Sequence, residues 1–258
     1  MVSVCRLSST IRLGAVLLAA VTWQTRTDAQ GSATAAAARA ARERAADSVF
    51  HSDWANFARY REANAQLPTS RPGEQRVVFM GNSITEGWVK YWPSMFAGKP
   101  YVGRGIGGQT TPQMLVRFHA DVVALHPAVV VILAGTNDIA GNTGPSTNAM
   151  IQQNLQAMTE IARANGIRVV LCSILPVFDY PWRPGLQPAP RIVAINAWLK
   201  SYAARVGATY LDYHAAMADA RQGLRAELGG DGVHPNEAGY RIMAALVEPA
   251  IAAALRAR

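Results

Sequence analysis

The sequence predicts an α/β domain built on a five-stranded parallel sheet. Three observations carry this. Five short apolar runs recur after residue 76. The longer segments between them place apolar residues at helical spacing, and short strands alternating with helices indicate a parallel sheet covered on both faces. Polar segments follow three of the runs, where open α/β sheets place their ligands.

The elements follow in order. In residues 1–29, Arg6 and Arg12 precede an apolar stretch from Leu13 to Val21, followed by Thr27-Asp28-Ala29. This layout predicts a secretory signal peptide cleaved near Ala29 and a periplasmic or secreted protein, with a buried helix or uncleaved anchor as the alternatives. Cys5 precedes the apolar run, so no lipid-modified cysteine is expected. Residues 30–75 read as a helical extension. Positions 31–47 are alanine-rich and suit a leader helix or a linker, and Trp54, Phe57 and Tyr60 recur every third residue, as one helical face packed on the domain would. The main domain is expected over 76–258. Its strands are read at 77–80, 101–102, 129–133, 168–171 and 209–211. Its helices are read at 84–89, 112–125, 147–164, 192–204 and 236–255. No internal repeat is present.

Composition is that of an ordinary globular chain: 258 residues, 50% hydrophobic and 16% charged. No later apolar run reaches the roughly 18 residues that span a bilayer. Removal of the signal leaves Cys172 alone, so no internal disulfide can form, and its apolar neighbours make it core filler. The formal charge of +8 comes without a dense basic run or interleaved aromatics, so nucleic acid is not an expected partner.

Four segments carry the chemistry: Gly81-Asn82-Ser83, Gly105-Ile106-Gly107-Gly108, Gly135-Thr136-Asn137-Asp138 and Asp231-Gly232-Val233-His234-Pro235. Ser83 follows a strand and opens a short helix, where backbone N–H groups meet developing negative charge; the same place suits an N-cap serine. Asp231, three residues before His234 in a tight loop, can bond one ring nitrogen and leave the other free to accept a proton from a serine, or the loop can merely organise a turn. Asn137 can aim its amide at an oxyanion or satisfy a turn, and Gly107 and Gly108 permit close backbone approach. The other histidines lack metal-ligand spacing, and HExxH, GxSxG and the P-loop are absent. The string Gly103 to Gly108 fits GxGxxG but lacks the following acidic strand end. Neither metal nor cofactor is expected.

Together the four segments resemble the SGNH/GDSL hydrolase family over about residues 76–255. The resemblance implies a three-layer, flavodoxin-like α/β/α sandwich, with Ser83 as nucleophile, His234 as base and Asp231 as its partner. It implies an oxyanion hole from the Ser83 and Gly108 backbone and the Asn137 side chain. The family usually carries Asp where this chain has Asn82. The expected function is a serine esterase that cleaves short O-acyl esters of carbohydrates or small molecules. A non-catalytic carbohydrate-binding domain and an O-acyltransferase are the alternatives. The proline- and aromatic-rich segment 176–184 suggests a lip over the site, with Tyr180 or Trp182 stacking on substrate, or a packed surface loop.

Overall fold

A computed structural model describes residues 36–41, 43–45, 47–48 and 50–257. The expected signal peptide lies outside the described residues. The chain divides into two units, Met1–Trp54 and Ala55–Arg258. In the first, the described residues from 36 to 52 are helical.

The second unit opens with α1 (Ala58–Ala65) and continues through β1 (Val77–Gly81), α2 (Ser83–Trp88), α3 (Trp92–Met95), β2 (Tyr101–Gly105) and α4 (Thr111–Asp121). It then runs through β3 (Val129–Leu133), α5 (Thr136–Ile139), α6 (Asn148–Ala164), β4 (Arg168–Cys172), α7 (Ala189–Val206), β5 (Thr209–Leu211), α8 (Tyr213–Met217) and α9 (Glu237–Arg256). The five strands form one parallel sheet in the order β2-β1-β3-β4-β5. This is the predicted fold class.

Alternation along each strand feeds two cores. Val78, Met80, Val130, Ile132, Val169 and Leu171 join residues of α4, α6 and α7 on one face. Val77, Phe79, Val129, Val131, Val170 and Cys172 join residues of α2 and α9 on the other. Continuous β-branched runs are the sequence signature of such doubly covered strands. By length and composition α9 could cross a membrane, but Tyr240, Met243, Val247, Ile251 and Ala254 are buried in the second core.

Two sequence expectations differ from the structure. Strand β2 extends three residues past Val102, through Gly103-Arg104-Gly105. Glycine is required at its end, because a Cβ on Gly105 would lie 2.2 Å from the Glu86 backbone nitrogen. Trp54, Phe57 and Tyr60 do not share a helical face: Asn56 has a φ of 54° and Phe57 is exposed, and only Tyr60 lies within α1. By its contacts the second unit takes in the segment from Ala55 onward. Tyr60 donates to the Gly105 carbonyl, Asn64 donates to Asp121 at 2.7 Å, and Arg104 donates to Asn64 at 2.7 Å.

Strand order reverses between β1 and β3: the chain moves outward to β2, then crosses β1 to reach β3. The carboxyl ends of those strands therefore frame the crevice where open sheets place ligands.

Candidate active site

Ser83 is the first residue of α2, directly after β1. Asn82 caps that helix, with its side-chain oxygen accepting from the Ile84 N–H at 3.2 Å. Ser83 is thereby released from capping, and its Oγ lies 2.8 Å from His234 Nε2.

His234 Nδ1 lies 2.6 Å from Asp231 Oδ2, and the other carboxylate oxygen accepts from the backbone N–H groups of Val233 at 2.9 Å and His234 at 2.7 Å. Burial works to raise the Asp231 pKa. The hydrogen bonds from the His234 backbone, the His234 ring and the Val233 backbone outweigh it and hold the carboxyl below its ordinary value. An ionised Asp231 keeps the proton of a neutral ring on Nδ1 and presents a bare Nε2 to Ser83. Such a chain can draw a proton from a hydroxyl.

The turn after β2 brings Gly107 and Gly108 to this edge. Gly108 has a φ of 76°, a left-handed conformation open to glycine. Three side chains hold the turn. Glu86 Oε2 accepts from the Gly107 N–H at 2.8 Å, Asn142 donates to the Gly108 carbonyl at 3.1 Å, and Asn137 donates to the Gln109 carbonyl at 2.9 Å. No acceptor among the described residues takes the Gly108 N–H. Asn137 lies in α5, buried after β3, and spends one of its two amide protons on Gln109. Ser83, Gly108 and Asn137 thus come to one sheet edge.

The aromatic lip divides. Tyr180 is fully buried, with its hydroxyl 2.9 Å from the Thr136 carbonyl and 3.0 Å from Thr136 Oγ1. It therefore offers no face for a substrate to stack on. The expectation for Tyr180 is corrected: its ring packs 5.0 Å from Trp182 as a support. Trp182 is 40% exposed, its ring centroid lies 6.3 Å from that of His234, and its indole N–H donates to Asn142 at 3.2 Å.

Sequence reasoning missed several residues that build the site. Ser83-Ile84-Thr85-Glu86 fits the S-x-x-E capping pattern, yet Asn82 is the cap and Glu86 reaches the glycine turn instead. Asp138 receives the Thr111 N–H at 3.0 Å and the Thr111 hydroxyl at 2.6 Å, which ties α5 to the start of α4. Arg117 is entirely buried in α4. It donates to the Gly81 carbonyl at 3.0 Å, the Arg104 carbonyl at 2.9 Å, Gln109 at 2.6 Å and Asp121 at 2.8 Å. A lone arginine in a helix gives no periodic signal of that role.

Residues 79–242 match the sequence model of the GDSL-like lipase/acylhydrolase family. The chain belongs to that family. This GDSL-like acylhydrolase is similar to a solved GDSL-like lipase of Bacteroides thetaiotaomicron, at 45% identity over 78% of this chain and 100% of that one, with a TM-score of 0.76. It is 29% identical to the esterase TesA of Pseudomonas aeruginosa over 66% of this chain and 84% of that protein. It is 26% identical to an acetylxylan esterase of Xylanibacter ruminicola over 72% of this chain, a match that spans 45% of that protein. The GDSL-like acylhydrolase is accordingly a carboxylic ester hydrolase.

Proposed function

We propose that this hydrolase cleaves short O-acyl esters of carbohydrates or small molecules through a Ser83–His234–Asp231 triad and an acyl-enzyme. The carrying observation is the continuous chain from Ser83 Oγ through the His234 ring to Asp231, at 2.8 and 2.6 Å. Ser83 Oγ attacks the acyl carbon while its proton passes to His234 Nε2. The tetrahedral oxyanion is received by the Ser83 and Gly108 N–H groups and the remaining Asn137 amide proton. Collapse breaks the ester C–O bond, and the imidazolium returns the proton to the leaving alcohol. Water then enters, gives a proton to His234 and attacks the acyl carbon. Collapse of the second tetrahedral species breaks the bond from Ser83 Oγ to the acyl carbon, the imidazolium returns its proton to Oγ, and the carboxylic acid leaves.

Two observations support the substrate class. Trp182 offers an exposed aromatic surface beside His234, suited to the face of a sugar ring. A relative is an acetylxylan esterase. An arginine-bearing N-terminus followed by an apolar run supports export to the periplasm or beyond.

Ser83→Ala tests the mechanism. With nitrophenyl acetate, kcat should fall at least about a thousandfold with an unchanged thermal midpoint. Retention of more than about a tenth of the rate would exclude a serine mechanism. A series of esters from acetate to laurate tests acyl length, with the shortest expected to give the highest kcat/KM.

A further inference from the structure

We propose that Glu86 is a positioning residue for the oxyanion hole, holding the Gly107 N–H so that the next N–H, on Gly108, is the donor left for the oxyanion. The inference rests on the reading of Ser83 as nucleophile.

Glu86 stands three residues after Ser83 on α2, so both side chains project from neighbouring positions of one helical face. Its two carboxylate oxygens have separate partners. Arg59 Nη2 lies 3.1 Å from Oε1, and the Gly107 N–H donates to Oε2 at 2.8 Å. Arg59 leaves Oε2 to the turn and offsets a negative charge that would oppose an oxyanion. Gly107 lies against the nucleophile: a Cβ built on it would stand 3.8 Å from the Ser83 Cβ and 3.0 Å from Glu86 Oε2. Two adjacent glycines have wide backbone freedom, and a rotation of the peptide between them would change the direction of the Gly108 N–H. Glu86 holds that turn on one side, and Asn142 holds the Gly108 carbonyl on the other. The helix that carries the nucleophile thus sets the direction of the donor.

The test compares Glu86→Leu and Glu86→Gln with wild type in nitrophenyl acetate hydrolysis and in inhibition by a trifluoromethyl ketone, whose adduct with a serine carries an oxyanion. Glu86→Leu should lower kcat by about tenfold or more with KM nearly unchanged, and weaken the ketone in similar proportion. Glu86→Gln, which keeps an oxygen acceptor for Gly107, should recover most of that loss. Should Glu86→Leu fail to fold, Glu86→Ala carries the same expectation. A kcat within about threefold of wild type, a loss confined to KM, or a glutamine variant no better than leucine overturns the inference. A wild-type enzyme untouched by the ketone, or an active Ser83→Ala, instead overturns the serine mechanism and the inference with it.

Discussion

Asn82 stands where the family usually carries Asp, and it caps α2. The family resemblance expects a carboxylate there, but the structure uses only an acceptor oxygen, which takes the Ile84 N–H from a buried position. An amide oxygen does this without a charge. Asn82→Asp should therefore change kcat by less than about tenfold, and a hundredfold rise would show that the native site is attenuated. Asn82→Ala should lower stability by about 1–2 kcal/mol, measured by urea unfolding, because α2 loses its cap. Asp231 makes a different prediction. Its carboxyl titrates lower in the folded protein than in the unfolded chain, so its stabilising contribution is present above the ordinary aspartate range, near pH 4. That contribution is lost as pH falls through the lowered folded value. The gap in thermal midpoint between wild type and Asp231→Asn should therefore narrow from about pH 5 downward. A gap constant across that range would refute the linkage.

At the scale of elements, α4 is the brace of the site. Arg117 joins the ends of β1 and β2 to Gln109 and Asp121, all out of contact with water. Removing the guanidinium leaves the buried Asp121 charge without its cationic partner and takes one donor from each of two carbonyls. Arg117→Met should cost about 3–5 kcal/mol in urea unfolding, and a loss below about 1 kcal/mol would show that water replaces the guanidinium. Legibility in the sequence follows the same physics. The strand at 129–133 matches the structure residue for residue, because its β-branched run announces burial on both faces; the edge strand at 209–211 also matches, although two of its three residues are only partly buried. Helix α1 was opaque: Ala-Arg-Tyr-Arg-Glu-Ala-Asn-Ala has no apolar stripe and buries no residue. It is held by the polar contacts of Tyr60 and Asn64, which periodicity does not reveal. The sequence offers Asp231 and His234 as a candidate pair because only three residues separate them, and Ser83 as a candidate because it follows an apolar strand run. Glu86, Asn142 and Arg117 are not, because much of what they hold is backbone N–H and C=O groups, which carry no side-chain signal.

At the scale of the molecule, the segment from Ala55 to Gln75 belongs with the sheet it buttresses. Gln109, next to the glycine turn, donates to the Ala55 carbonyl at 2.8 Å, and Arg76 donates to the Pro68 carbonyl at 2.6 Å. A chain of residues 76–258 should therefore melt several degrees below one of residues 55–258 and lose roughly tenfold or more in kcat. Equal melting and equal rates would place the boundary at residue 76. The Ser83–His234 pair has a consequence in time as well as in space. Its two members lie 151 residues apart in sequence. With the proposed triad, a chain that emerges N-terminus first carries Ser83 through 151 residues of synthesis before His234 is added. On that proposal, chemical competence arrives only when the loop from Asp231 to Pro235 docks beside Ser83. Ester cleavage is therefore a clock for the final event of maturation: in refolding, activity should return with the slowest structural phase and never ahead of it.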